Sequence, residues 1–258
     1  MRVDLGESKI AVVVWTVDPL ADACNLLRGL RLQTIQPGAV VLVRPRQDYR
    51  LRDERASADG TWMLKEIAAT YRSASYTWFL GWQAVRDFKI VVYLEARISL
   101  PAVDALRALV EPVGWGHRYI TASTATVEAP ESEPLFGQDR AKASGLMCLA
   151  ERLRSLGTPP GDLTPAGRRT RPYGFGQYTR IGWVDMRAVA CRTRSLTESC
   201  FTDVMFALGE MGALAVEEAF LGRCLQLRGG EIVLTNVYRL WHPGIGQPSD
   251  GKSARCQG

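Results

Sequence analysis

Apolar and polar positions follow two alternating rhythms along the first 125 residues. Ile10–Trp15 is a continuous apolar run, β-branched and closed by an aromatic, which is the pattern of a buried parallel strand. In the next segment, Leu20–Leu32, residues Leu20, Ala23, Leu26, Leu27 and Leu30 recur at helical spacing. Pro37-Gly38 breaks the chain before a second strand, Ala39–Val43. The spacing of Met63, Leu64, Ile67 and Ala68 predicts a helix over Gly60–Tyr71. Tyr76–Leu80 and Ile90–Leu94 read as further strands around a short helix near Trp82–Phe88. Pro101, at the favoured first position, opens a helix with Ala102, Leu106 and Leu109 inward, and Tyr119–Ala122 adds a strand.

Beyond this series, Thr124–Pro134 is a polar, acidic connection and an internal boundary. A helix is predicted over Gln138–Leu156, then a Gly/Pro/Arg-rich loop over Gly157–Gly176. A strand (Ile181–Met186), two helices (Leu196–Leu208 and Val216–Arg228) and a strand (Ile232–Tyr238) follow, and the tail from Pro243 is expected to fray. Strands and helices alternating at this rhythm predict an α/β fold with a doubly wound, mostly parallel sheet. Ligands of such sheets bind outside the carboxyl ends of the strands, so residues just after Val14, Val43 and Leu94 are the first functional candidates.

Composition narrows the class. The 258 residues are 47% apolar and 23% charged, ordinary for a globular chain with a core. No uninterrupted apolar run reaches the length of a bilayer span, and the first residues lack the succession of a secretory signal. The expectation is a soluble, cytoplasmic protein. Six scattered cysteines without a Cys-x-x-Cys pair point to reduced, buried thiols, rather than a disulfide framework or zinc site.

The formal charge of +5 favours an anionic partner, and a nucleotide diphosphate is anion enough. Two arginine clusters stand out: Arg44, Arg46, Arg50, Arg52, Arg55, and Arg168, Arg169, Arg171, Arg180. The second is interleaved with Tyr173, Phe175 and Tyr178. That mixture suits a nucleic acid, an acceptor loop stacking on sugar faces, or a plain solvated loop.

Three stretches, taken in order, resemble the family-two glycosyltransferases of the GT-A fold. The first is Ile10–Thr70: a strand ending near Thr16, a helix leading to Leu32-Gln33-Thr34, a second strand, then Ala58-Asp59-Gly60-Thr61-Trp62 opening a helix. The second, Val91–Pro101, sits where the family carries a strand ending in Asp-x-Asp; here the motif reads Glu95-Ala96-Arg97. The third, Glu217-Glu218-Ala219-Phe220-Leu221-Gly222-Arg223, resembles the family's Glu-Asp-x-x-Leu-x-Arg helix start and is followed by a strand and Trp241-His242. The resemblance implies a GT-A (Rossmann-like) single domain: a nucleotide-sugar half over residues 1–125, an acceptor half over 126–243 and a flexible tail over 244–258. It implies glycosyl transfer from a nucleotide diphosphate sugar to an acceptor hydroxyl, with inversion.

Such transfer needs stabilisation of a departing diphosphate and a base for the acceptor's proton. The resemblance gives the base position to Glu218, with Glu217 beside it, and the donor site to Thr16, Asp48, Asp59, Glu95 and Arg97. Asp48 and Asp59 are alternatives for the base and ribose, because the second strand's end reads Arg44-Pro45-Arg46-Gln47-Asp48 where the family is acidic. Arg97 replaces the family's second carboxylate and leaves three readings. Arg97 itself pairs with the diphosphate; Glu95 and His242 hold a divalent metal, Mn²⁺ or Mg²⁺; or the chain is a non-catalytic nucleotide- or sugar-binding subunit. The acceptor is a glycan or, as for phage DNA glycosyltransferases, a hydroxymethylated base in DNA.

Overall fold

In the computed structural model the described residues are 9–18, 21, 23–46, 62–100, 102–114, 120–128, 178–181, 184–210, 214–228 and 230–242. They hold eight strands: β1 (Ile10–Trp15), β2 (Ala39–Pro45), β3 (Met63–Ala69), β4 (Ile90–Glu95), β5 (Ile120–Glu128), β6 (Tyr178–Ile181), β7 (Ala188–Arg192) and β8 (Glu231–His242). One sheet joins them in the order β3-β2-β1-β4-β7-β5-β8-β6. The pairings β3–β2, β2–β1, β1–β4 and β5–β8 are parallel, while β4–β7, β7–β5 and β8–β6 are antiparallel. The expected mostly parallel α/β sheet is therefore present, with β7 reversed at its centre.

Five helices accompany the sheet among the described residues: α1 (Cys24–Arg31), α2 (Ala74–Val85), α3 (Ala105–Gly114), α4 (Asp203–Glu210) and α5 (Leu214–Leu227). Because β1 is buried on both sides, it divides its side chains between two cores. Ile10, Val12 and Val14 pack with Leu26 and Leu30 of α1 and with Leu106, Leu109 and Val113 of α3. Ala11, Val13 and Trp15 pack with Trp78 and Val85 of α2 and with Leu221 and Leu225 of α5. The result is a three-layer sandwich with helices on both faces.

Gln33, from the Leu32-Gln33-Thr34 stretch, stitches one helical layer together. Its amide nitrogen donates to Gly29 O (3.1 Å) and Ala102 O (2.9 Å), and its oxygen accepts from Leu106 N (2.8 Å). The last bond satisfies an otherwise orphaned donor in the first turn of α3.

Five expectations about local structure are corrected. Residues 63–69 form strand β3, not a helix, in parallel register with β2 from Ala39↔Met63 to Pro45↔Ala69. Leu64 and Ile67, three residues apart, serve opposite cores as period-two alternation requires, while Lys65, Glu66 and Ala68 face solvent along the sheet edge. The Ala58–Trp62 stretch therefore leads into a strand instead of opening a helix; of it, only Trp62 is described.

Tyr76–Leu80 belongs to helix α2, not to a strand. Its start is capped by Ser73, whose hydroxyl accepts from Tyr76 N (3.3 Å), and Ala74, Trp78, Gly81 and Val85 form the buried stripe. The aromatic residues at 76, 78 and 79 favour strands by propensity, but the spacing of the buried stripe decides the outcome.

The strand expected at Ile181–Met186 ends at Ile181, and residues 185–187 form a turn closed by Ala188 N to Asp185 O (3.1 Å) before β7. The helix expected at Leu196–Leu208 is replaced by a 3₁₀ turn at Glu198–Cys200 and then α4, whose start accepts Met205 N on Thr202 Oγ1 (3.2 Å). The acidic connection also starts later than expected, because Thr124–Glu128 continues β5. The segments 138–156 and 157–176 lie outside the described residues.

Among the described residues no helix is long and apolar enough to cross a membrane. Among the described residues Cys191 and Cys200 are buried free thiols, Cys24 and Cys224 are free and half-buried, and burial pushes the Cys191 thiol well above the usual range.

Candidate active site at the carboxyl ends of the parallel strands

Strands β1 and β4 run side by side in parallel, with Trp15 opposite Glu95. Their carboxyl ends therefore open at one edge. Thr16 follows β1, with its backbone N–H on Val43 O (3.1 Å) and its hydroxyl accepting from Asp18 N (3.0 Å). This serine/threonine-type turn holds Asp18 beside the end of β4. Arg97 Nη1 lies 3.9 Å from Asp18 Oδ2.

Glu95 ends β4 almost fully buried, and its carboxylate is turned onto the Arg97 that follows. Oε2 accepts from Arg97 N (2.8 Å) and Oε1 from Arg97 Nε (3.1 Å). A buried carboxylate carries a large desolvation cost unless it is paired in this way. Glu95-Ala96-Arg97 is thus a compact acid–guanidinium turn whose arginine retains partial exposure.

A second turn of the same kind lies beside it. In Asp185-Met186-Arg187, Asp185 Oδ1 accepts from Arg187 N (3.1 Å) and Nε (3.0 Å), and Oδ2 accepts from Nη2 (3.2 Å). Both side chains are buried. The two turns are joined by Glu95 N, which donates to Arg187 O (2.8 Å). Trp15 Nε1 donates to Met186 O (3.2 Å) and ties the end of β1 to the same point.

Helix α5 delivers Glu217 and Glu218 to this neighbourhood. Glu218 Oε1 accepts from Met186 N (3.0 Å), so the carboxylate rests on the second turn. Adjacent residues on a helix diverge by about 100°, and Glu217 has a different task. Its Oε1 accepts from Ser75 N (2.8 Å), Ser73 Oγ (2.8 Å) and Ser75 Oγ, which places it against the start of α2. A carboxylate there satisfies first-turn donors and the positive end of the helix dipole. Gly209 of α4 packs so closely that a Cβ would stand 2.5 Å from Glu217 Oε1.

Burial raises the pKa of Glu217 above the usual glutamate range, against the lowering effect of its serine and backbone donors. The folded protein therefore binds this proton more readily than the unfolded chain. Stability associated with it falls as pH rises from the ordinary glutamate value through the raised one. Glu217→Gln removes that dependence, so the variant should gain stability relative to the native chain across this window. Urea unfolding of both proteins at several pH values checks it; a stability difference that is constant or shrinks with pH contradicts the buried-carboxylate account.

Of the residues singled out in the sequence, the structure brings Thr16, Glu95, Arg97 and Glu218 to one edge of the sheet and turns Glu217 toward α2. His242 is the last residue of β8, in register with Glu128. Its side chain, like Asp48, Asp59 and the Arg168–Tyr178 cluster apart from the backbone of Tyr178, lies outside what the structure describes. Sequence reasoning passed over Asp18, Asp185 and Arg187. The signal for the last two was present, since Asp185-Met186-Arg187 repeats the acid-x-Arg spacing of Glu95-Ala96-Arg97. Among the described residues no three His, Cys, Asp or Glu side chains converge as metal ligands. Both oxygens of Glu95 face Arg97, so the described donor set suits an anion beside a guanidinium better than a divalent cation.

No protein-family model matches this sequence, and no curated protein matches it. Solved structures do. The chain aligns with GalNAc-T7 bound to UDP, GalNAc and Mn²⁺ at a TM-score of 0.61 and 16% identity, covering 93% of this chain and 44% of that one. It aligns with Staphylococcus aureus TarS (residues 1–349) bound to UDP-GlcNAc at a TM-score of 0.55 and 10% identity, covering 93% and 60%. The fold is GT-A. Glucosyl-3-phosphoglycerate synthase of Mycobacterium tuberculosis is similar at a TM-score of 0.50 and 14% identity, covering 94% of this chain and 74% of that one. This chain thus spans about half the length of the first two structures. In this GT-A chain, the edge carrying Glu95, Arg97 and Glu218 is where an open α/β sheet receives its ligand.

Proposed function

We propose that the chain is a nucleotide-sugar glycosyltransferase that takes a uridine diphosphate sugar as donor. The observation that carries this is the convergence of Glu218 with the Glu95–Arg97 turn at the carboxyl edge of a GT-A sheet. All three solved neighbours hold UDP or a UDP-sugar, which supports the choice of nucleotide. Residues 1–125 serve as the donor half and 126–243 as the acceptor half, with a glycan or another hydroxyl compound as acceptor.

The chemistry follows from the groups at that edge. Arg97 is partly exposed and already oriented by Glu95 and Asp18, so it can turn donors toward an entering diphosphate. A guanidinium matches phosphate geometry and stabilises negative charge as the nucleotide leaves. Thr16 and the turn after β1 line the donor's entry. Glu218 stands as the base that removes the acceptor's proton while the sugar inverts. Two of the solved neighbours contain Mn²⁺, and a divalent ion bound here would neutralise charge on a departing diphosphate. In this chain Glu95 and His242 are the candidates for such an ion, and Arg97 supplies a fixed positive charge at the same place.

Thermal stabilisation by UDP and UDP-sugars, with and without Mn²⁺, tests the reading without knowledge of the acceptor. The expected result is a raised unfolding temperature with a UDP compound, retained when metal is chelated. Arg97→Ala should weaken that binding by about tenfold or more, consistent with loss of a charge-assisted bond worth about 1.5–3 kcal/mol. Stabilisation that vanishes on chelation would transfer the diphosphate contact to a metal at Glu95. No stabilisation by any UDP compound would remove the proposed donor.

A further inference from the structure

Glu218 Oε1 accepts from Met186 N, at the centre of the Asp185–Arg187 turn. That turn has unusually firm closure for a three-residue segment: a two-pronged ion pair, a backbone N–H on the same carboxylate, and Ala188 N on Asp185 O. Its two remaining carbonyls reach outward to the donor side, Met186 O to Trp15 Nε1 and Arg187 O to Glu95 N. A single turn therefore touches the proposed base, the end of β1 and the end of β4.

We propose that the Asp185–Arg187 ion pair is a positioning device. It sets the Met186 N–H that orients Glu218 and fixes the distance between that base and the Glu95–Arg97 turn. The inference rests on the transferase reading above. A surface turn could be closed by a glycine or asparagine at no electrostatic cost. A buried ion pair, by contrast, often adds little net stability over an apolar substitute, and in some proteins such pairs specify geometry. Its place here is between two groups whose separation governs an in-line displacement, where a misplacement of about 1 Å can cost about 10²-fold in rate.

Three variants test this. Asp185→Asn breaks the pair, the double variant Asp185→Asn with Arg187→Gln removes both of its charges, and Asp185→Glu restores the carboxylate. Amide hydrogen exchange at Met186 and Glu95 needs no activity. It should accelerate about tenfold or more in the two variants that lack the carboxylate and recover in part with Glu, while Val91 and Val92 in the middle of β4 stay protected. Hydrolysis of UDP-GlcNAc should lose about 10²-fold in kcat with KM for the donor nearly unchanged.

Unchanged exchange in a folded variant overturns the ion pair as the clamp of the turn, whatever the activity. Faster exchange with unchanged kcat overturns the positioning role and leaves the transferase reading standing. A native chain that neither binds UDP nor hydrolyses UDP-GlcNAc overturns that reading, and the catalytic purpose of the pair with it.

Discussion

Glu218→Gln will leave the chain folded and able to bind UDP, and will cut sugar transfer by about 10²–10⁴-fold. The substitution preserves shape, and the amide oxygen can still accept from Met186 N, so the turn at 185–187 keeps its partner. What disappears is basicity. A carboxamide does not take up an acceptor's proton, so the loss should fall on kcat while the donor's KM and its thermal stabilisation stay close to native. Measuring UDP release from UDP-GlcNAc with water as acceptor separates the two parameters. Glu217→Gln is the control within the same pair: its carboxylate is spent on Ser73 and Ser75 at the start of α2, and its turnover should remain near native. If Glu217→Gln is the inactive variant and Glu218→Gln the active one, the two roles are exchanged. If both retain full turnover, the base lies elsewhere and the acceptor half must be reassigned.

This asymmetry between neighbours was not legible in the sequence, where Glu217 and Glu218 form an undivided acidic pair. The helix that carries them was, because Leu221 and Leu225 repeat at the right spacing. What separates the pair is the identity of the element that each faces, and that depends on how α5 sits against α2 and the 185–187 turn. The parallel strands β1, β2 and β4 were legible for a simple reason: each is buried on both faces, so its sequence is a continuous apolar run. Edge strand β3 was not, since Lys65 and Glu66 interrupt the alternation and its apolar residues serve opposite cores. Strand β7 was missed because Ala188–Arg192 is short and weakly β-branched, and its place between β4 and β5 is set by pairing rather than by local preference. The candidate site was half legible: Glu95 and Arg97 came from the order of motifs, whereas their mutual engagement and the partnership with Asp18 came only from the fold.

Trp78→Ala will be strongly destabilising, at about 3–5 kcal/mol. Trp78 is wholly buried in α2, within the Tyr76–Leu80 segment that the sequence alone assigned to a strand, and its ring stacks on Tyr93 of β4 with centroids 3.8 Å apart. The Tyr93 hydroxyl returns the contact by donating to Trp78 O (3.3 Å), so one residue pair fastens the helix to the sheet's central strand. Nearby packing allows little collapse into a cavity, since a Cβ on Gly81 of the same stripe would already clash with Val13 Cγ1. A loss of this size is a large share of the roughly 5–15 kcal/mol that holds a domain together, and urea unfolding should show it as a lower midpoint. Trp78→Phe separates ring from indole nitrogen. Among the described residues Trp78 Nε1 is buried without a hydrogen-bond partner. Phenylalanine keeps the stacked ring and removes that orphan, whose burial costs about 1–3 kcal/mol, so its net effect should stay under about 1.5 kcal/mol. Should Phe destabilise as much as Ala, the indole nitrogen has a partner that matters more than the stacking. Because the start of α2 also receives Glu217, loosening this helix in the Ala variant should reach the adjacent Glu218. A fall in turnover at temperatures below the unfolding transition, absent in Trp78→Phe, is the signature of that coupling between core packing and the base.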